Sequence, residues 1–469
     1  MRIRRLVDTP TAALAAAMMG VYLLVVVGAT ASLAEASQAC SSWLFCADAL
    51  SDPAAAVGLG HRVVAAAVAG LVVTAAVAAF RGDTTRRVRA SAAAALALYP
   101  VQVAFGAVIA TTSTGLPLPG LHLGVGLLIF GTLVLALAWQ LEYETGADEE
   151  QPVEDVDPID AEEPDAAEGS APTPLAERPL HVQLRARVLA YARLTKPRLM
   201  WLLCLVAAAA MALAAGPALT VTEVLLTLGG GVLAIGASGT FNHVLEREKD
   251  RKMSRTNDRP LVTHEVPKRN AIVFGLVLSV LSVAVFLQLN PLAAALGLTA
   301  IVFYSVVYTL ILKPNTVQNT VIGGAAGSLP ALIGWAGVTG RIGLAGVLLA
   351  GLIFVWTPAH FYNLALAYKE DYARGGFPMM PVVRGETTTR KHILLWLGTT
   401  LAVTTTLIWA TGLGWLTAVA TTSVGTVFLW ATIRLHREQT EEAAFRAFHA
   451  SNAYLGTLLL VIVVDAMAL

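Results

Sequence analysis

Apolar runs of about 20 residues recur along nearly the whole of this chain. Thirteen can be counted, at roughly 11–34, 57–80, 89–111, 120–141, 197–216, 222–244, 270–288, 291–312, 318–338, 343–366, 392–411, 413–434 and 450–468. Each is long enough to cross the hydrocarbon core of a bilayer as a helix. A chain built this way is an all-α polytopic membrane protein. With 56% hydrophobic and 14% charged residues among 469, it does not have the composition of a soluble domain. Membrane lipid is its surroundings, and no nucleic-acid partner is expected.

The net charge of zero conceals a pattern. Arg2, Arg4 and Arg5 precede the first run, RGDTTRRVR follows the second, and LRARVLAYARLTKPR precedes the fifth. Positive charge on alternate sides marks these loops as cytoplasmic. In the cell membrane the N-terminus is then inside and, after thirteen spans, the C-terminus outside. A cleaved signal peptide over residues 1–30 is the weaker alternative, because the run is long and no cleavage site interrupts it. Residues 142–184 are acidic, Pro-rich and without apolar periodicity, which reads as a disordered linker. It separates a four-helix unit, 1–141, from a nine-helix unit, 185–469. Of three cysteines, Cys204 falls inside a span, while Cys40 and Cys46 fall on the first outer loop. That side permits a disulfide, and two free thiols are the alternative.

The sixth run ends in NHVLEREKDRKMSRTNDRPL, a dense cluster of charge after a nearly uncharged segment. Asn242, Glu246 and Asp250 are spaced i, i+4, i+8. On a helix they share one face, each about 6 Å further along the axis. An amide and two carboxylates in a row offer oxygen ligands to a hard cation such as Mg²⁺. Arg251, Lys252, Arg255 and Arg259 follow. A divalent cation among several fixed bases is the composition expected around a diphosphate. A plain charged loop anchoring a helix end explains this segment equally well by itself. The balance shifts with a second cluster, AYKEDYARGGFPMMPVVRG, which follows the tenth run on the same side and supplies Lys369, Glu370 and Asp371. Two such loops would clamp one Mg²⁺-diphosphate.

These two stretches, with YARLTKPRLMWLL and NTVIGGAAGSLPALIGWAGVTG, occur in an order that resembles the UbiA superfamily of intramembrane prenyltransferases over about residues 188–469. Within it the chain is most similar to the protoheme IX farnesyltransferases, or heme O synthases. The superfamily motif N-x-x-x-D-x-x-x-D is matched at Asn242 and Asp250, with Glu246 at the middle acid. The resemblance implies a nine-helix UbiA-type bundle that transfers a farnesyl group from farnesyl diphosphate to a vinyl group of heme B, with Mg²⁺ as cofactor. It places Asn242, Glu246, Asp250, Glu370 and Asp371 at the metal and the chemistry. Lys252, Arg255, Arg259 and Lys369 are placed on the diphosphate. Lys196, in LTKPR at the inner end of the fifth run, joins them or serves as an inside anchor. A quinone precursor or ether lipid as acceptor, and a non-catalytic heme carrier, are the competing readings. Heme A synthase or terminal-oxidase assembly proteins are the implied partners.

His360 and Asn363 lie within the tenth run, where polar side chains need a partner or a function. His360 is a heme ligand or a hydrogen-bonded helix contact. Asn319 and the GGAAG run allow close approach of helices or of a flat macrocycle. Trp335 reads as packing. His243 points off the motif face and is assigned no role. In the four-helix unit, His61 and His122 begin the second and fourth runs, so both sit near the outer face. They form a bis-histidine heme site or interhelical hydrogen bonds. GHR, VQVAFGAVIATTS and LHL, with the two outer cysteines, resemble one half of the heme A synthases. That family's glutamate three residues before the first histidine is Gly58 here, and its second half is absent. The implied role is to hold heme at His61 and His122 without heme A synthase activity.

Overall fold

The computed structural model describes residues 10–33, 52–111, 118–146 and 179–468. Cys40, Cys46 and most of the acidic linker lie outside the described residues. Every regular element described is helical. Among the described residues thirteen helices are long and apolar enough to span a membrane, the number expected from the runs. Hydrocarbon offers no hydrogen bonds, so a spanning segment must satisfy its own backbone, and a helix does so residue by residue.

In chain order the helices are α1 Pro10–Leu33, α2 Pro53–Arg81, α3 Arg86–Thr111, α4 Leu118–Thr145, α5 Leu180–Leu194, α6 Pro197–Ala215, α7 Val221–Asp250 and α8 Lys268–Leu287. Then come α9 Pro291–Val302, α10 Asn319–Thr339, α11 Leu344–Ala367, the short α12 Lys369–Arg374 and α13 Met380–Arg384, and finally α14 Glu386–Thr411, α15 Trp415–Glu438 and α16 Glu441–Ala468. Local chemistry sets several starts. Pro53, Pro197 and Pro291 occupy the first helical turn, where the missing N–H costs nothing. Thr220 and Glu223 form a reciprocal capping box at α7. The span opened by α9 continues as a π-helix over Phe303–Leu312. At its two ends the linker is shorter than the composition implies. α4 runs on to Thr145 because Glu142 pairs with Lys391 and Glu144 accepts from Thr11 at 2.5 Å. α5 begins at Leu180.

The chain forms two compact units. One comprises residues 1–150, 358–364 and 387–469. Its interior carries a chain of buried hydroxyls: Tyr22 on α1 meets Thr421 on α15 at 2.8 Å, Thr421 meets Tyr454 on α16 at 3.2 Å, and Tyr454 meets Thr404 on α14 at 2.8 Å. Such bonds hold membrane helices together where apolar burial supplies no driving force. The other unit comprises residues 151–357 and 365–386. Here Phe286 of α8 fills the space that Gly230 of α7 and Gly297 of α9 leave: a Cβ on either would lie 2.8 or 2.5 Å from its ring. The GGAAG run does the same, with Gly323 against the Tyr308 ring and Gly324 against the Phe354 carbonyl. Its small residues bring helices together. Trp335 lies against Gly343 and Gly346, in keeping with packing.

Candidate active site

α7 is one unbroken helix to Asp250, so the i, i+4, i+8 spacing becomes a single file. Asn242, Glu246 and Asp250 are 1%, 4% and 1% exposed. Each rung of this file has its own cation. Lys196 Nζ donates to Asn242 Oδ1. Lys313 Nζ donates to Glu246 Oε1 at 2.6 Å. Arg259 Nη1 donates to both Asp250 oxygens, at 2.8 and 2.7 Å, and lies 3.9 Å from Glu246.

Three separate elements deliver these cations. Lys196 stands just before α6 in the left-handed region, at φ 55° and ψ 57°. That conformation costs a non-glycine residue about 1–3 kcal/mol and is kept only where surrounding structure enforces it. Gly239 of α7 makes room for the turn, since a Cβ there would sit 2.9 Å from the Leu194 carbonyl and 3.3 Å from Lys196 Cγ, and the bond to Asn242 ties the lysine in place. Lys313 follows the π-helix, whose wider turn lets the Thr309 hydroxyl bond the Tyr304 carbonyl five residues back, at 2.9 Å. The same hydroxyl accepts from Asn242 Nδ2 at 3.1 Å, which orients the amide so that its oxygen faces Lys196. Arg259 lies on the loop after α7, which folds back through Thr256 Oγ1 to the Asp250 carbonyl at 2.9 Å.

The second acid-rich loop meets the first. Asp371 accepts from Ser254 N at 3.1 Å, Ser254 Oγ at 2.7 Å and Arg255 N at 3.0 Å, and it pairs with Arg374. Burial raises its carboxyl, but the Arg374 and Ser254 hydrogen bonds outweigh that and hold it below the usual aspartate range. The Arg255 guanidinium lies 4.8 and 5.3 Å from the ring centres of Tyr368 and Tyr372. The Lys249 and Lys313 ammonium groups each lie 4.3 Å from the Phe377 ring centre. Burial pushes the Lys196 ammonium down to about 7; Arg259 pushes the same way, and Glu246 opposes it. An anion bound here would restore the charge on that lysine.

Of the residues singled out from sequence, Lys196, Asn242, Glu246, Asp250 and Arg259 converge, with Arg255 and Asp371 in the adjoining loop layer. Three stand apart. Lys369 pairs with Glu386 at 3.0 Å, Glu370 has a side chain 78% exposed, and Lys252 is exposed. Sequence reasoning missed Lys313, Tyr304 and Thr309. A signal for Lys313 was present, because LTKPR and ILKPN both put an aliphatic residue and a Lys-Pro step at one end of a span. No periodicity announced the π-helix.

Elsewhere, His360 Nδ1 meets Ser451 Oγ at 2.7 Å and its ring stacks on Phe448 at 4.4 Å. Asn363 Nδ2 donates to the Ala359 carbonyl, while its Oδ1 is buried with no hydrogen-bond partner. Asn319 ties the start of α10 to the Thr316 carbonyl at 2.7 Å. His61 and His122 each bury an Nδ1 that has no hydrogen-bond partner. Gly28 and Gly106 face those two rings, with Cβ positions 3.0 and 3.3 Å from their Cε1 atoms.

An apolar cavity of about 710 Å³, mouth included, opens beside Lys196 and Tyr304 and runs down α7 between α6, α9 and α10. Membrane helices that set fixed cations and carboxylates over an apolar chamber define an intramembrane transferase of a long apolar group carried on an anion, a prenyltransferase. The chain belongs to the UbiA prenyltransferase family, whose model matches residues 202–456. It is 60% identical to the protoheme IX farnesyltransferase of Haloarcula marismortui, over 98% of this chain and 99% of that one. It is 60% identical to protoheme IX farnesyltransferase 1 of Natronomonas pharaonis, over 97% of this chain and 98% of that one. The four-helix N-terminal region is therefore shared with these relatives. The solved structure of a digeranylgeranylglyceryl phosphate synthase superposes with a TM-score of 0.52 at 16% identity, covering 60% of this chain and 99% of that one. This last likeness is one of fold alone.

Proposed function

We propose that this protein converts heme B to heme O by transferring a farnesyl group from farnesyl diphosphate to a heme vinyl group. The near-full-length identity to protoheme IX farnesyltransferases supports the reaction. The observation that carries the site is the file of three α7 rungs, each met by its own cation, at the mouth of an apolar cavity.

Mg²⁺ takes oxygen donors, commonly one or two carboxylates completed by substrate phosphates. Glu246 and Asp250, one turn apart, fit that need. Among the described residues no three His, Cys, Asp or Glu converge, so diphosphate oxygens would complete the shell. When bound, the metal draws charge from the leaving oxygen. Lys196, Lys313 and Arg259 face two carboxylates. With a divalent metal the excess positive charge matches the three negative charges of an allylic diphosphate. These cations stabilise the charge that develops as the C1–O bond breaks and its electron pair leaves with diphosphate. The vinyl π pair then forms the new carbon–carbon bond at C1. Water adds to the cation left beside the macrocycle and gives up a proton, which makes the hydroxyethylfarnesyl side chain. Asp371 acts by clasping the Arg255 loop. The arginine pattern supports a cytoplasmic diphosphate site and N-terminus with an outer C-terminus, and the product implies heme A synthase or oxidase-assembly partners.

Membranes holding the protein, given heme B, farnesyl diphosphate and Mg²⁺, should yield heme O by mass, and Glu246→Gln or Asp250→Asn should abolish it. A prenylated quinone precursor or glycerol ether in place of heme O would move the acceptor. A folded protein with no product would favour a heme carrier.

His61 and His122 support a second site, in which each unpartnered ring nitrogen belongs to an imidazole facing a glycine and the pair ligates a heme. The purified full-length protein should show a low-spin bis-histidine spectrum that His61→Ala and His122→Ala each remove while heme O synthesis continues. An unchanged spectrum would leave these histidines as helix contacts.

A further inference from the structure

The α7 face that carries the diphosphate rungs does not end at Asn242. Continuing toward the helix start it becomes the wall of the apolar cavity, through Gly239, Ser238, Ala234, Gly231 and Thr227. Gly239 to Thr227 is twelve residues, about 18 Å along a helix axis. On the opposite wall α6 lines the cavity from Leu199 to Ala207, eight residues or about 12 Å, with Lys196 just before it. One helix thus holds both the charged head of a prenyl diphosphate and the chamber for its tail, in fixed register.

Two positions on this face differ from their neighbours. Gly231 lines the cavity, and a Cβ there would meet nothing within 4 Å. The adjacent Gly230, by contrast, is pressed against Phe286. A Cβ at Gly231 would therefore enter open space on the cavity wall without moving protein. Thr227 is 1% exposed, and its hydroxyl has no hydrogen-bond partner. Other threonines of this chain, such as Thr240 and Thr400, bond the carbonyl four residues back. Thr227 instead abuts α10, where a Cβ on Gly337 would lie 2.9 Å from its Oγ1. A buried hydroxyl without a partner is a cost that needs an explanation. Thr227 is also the α7 lining residue furthest along the helix from Asn242.

We infer that α7 is a ruler for the prenyl chain, with Gly231 leaving room for the third isoprene unit and Thr227 stopping a fourth. The inference names the donor's chain length and so rests on the prenyl-diphosphate reading above, but it needs no particular acceptor. Binding of geranyl, farnesyl and geranylgeranyl diphosphates to the full-length protein with Mg²⁺, in the absence of heme, reads it directly. Gly231→Leu should weaken farnesyl relative to geranyl binding by about tenfold or more, the scale on which apolar pockets discriminate lost space. Thr227→Ala should improve geranylgeranyl relative to farnesyl binding by a similar factor. A gain for the longer chain does not arise from misfolding, so the second variant guards the first. If Thr227→Ala leaves the ratio unchanged and Gly231→Leu lowers all three affinities alike, the ruler is wrong. Failure of the acceptor reading shows separately, as intact chain discrimination with no heme O formed.

Discussion

Lys313 is the most informative single residue in this structure. It is 8% exposed and meets Glu246 at 2.6 Å, and its one mark in the sequence is a Lys-Pro step shared with Lys196. Replacing it by Met leaves a buried carboxylate short of its partner, and breaking such a pair costs about 3–5 kcal/mol. If Lys313 also stabilises the leaving diphosphate, Lys313→Met should lower the turnover number by roughly 10²–10³. Lys313→Arg should recover part of this. A turnover within a few-fold of the unaltered enzyme would reduce Lys313 to a structural counter-ion. Asp371 carries a pH prediction at the same scale. Its folded pKa lies below the unfolded value, so its stabilisation is present above the ordinary aspartate range and is lost as pH falls through the lowered value. Proteolysis within residues 251–267 should therefore rise as pH drops below about 4. In Asp371→Ala the loop should be cut readily at neutral pH.

At the scale of elements, the site depends on how three chain segments reach one helix. Gly239 admits the left-handed turn at Lys196, and the π-helix turns Thr309 toward Asn242. Gly239→Val should push the Leu194–Lys196 turn away and cost heme O formation with helix content intact; a variant of normal activity would show that Lys196 needs no such approach. On the other unit, Asp465 of α16 accepts from Gly414 N at 3.2 Å and Thr417 N at 3.0 Å, capping α15 from a different helix. Asp465→Ala should cost about 0.5–2 kcal/mol, as a helix cap does, visible as a lowered Tm with unchanged substrate affinity.

At the scale of the whole molecule, the compact units do not follow the order of the chain. α1–α4 share a unit with α14–α16, which lie within or overlap the stretch matched by the family. The Tyr22 hydroxyl chain is one of the bonds that make this so. Tyr22→Ala, a change near the N-terminus, should cost about 3–5 kcal/mol through its cavity and loosen α14–α16 toward protease. Unaltered protection there would mean that α1 merely lies alongside.

The sequence by itself determined the thirteen spans, because a bilayer imposes one length on every crossing helix. It also determined the Asn242, Glu246 and Asp250 file, because a helix converts spacing into a shared face without help from the rest of the chain. Arg259 was legible for the same reason, being close in sequence to Asp250. Tertiary structure decided what faces that file. Lys196 and Lys313 lie 46 and 67 residues from their partners, and nothing local says which distant cations will arrive. It also decided that Lys252, Lys369 and Glu370 stand apart while Asp371 turns to the Ser254 loop, since a charged loop's direction is set by the loop it packs on. The place of Thr227 in the cavity lining was equally hidden. An empty volume is enclosed by several helices at once, and no one of them records it.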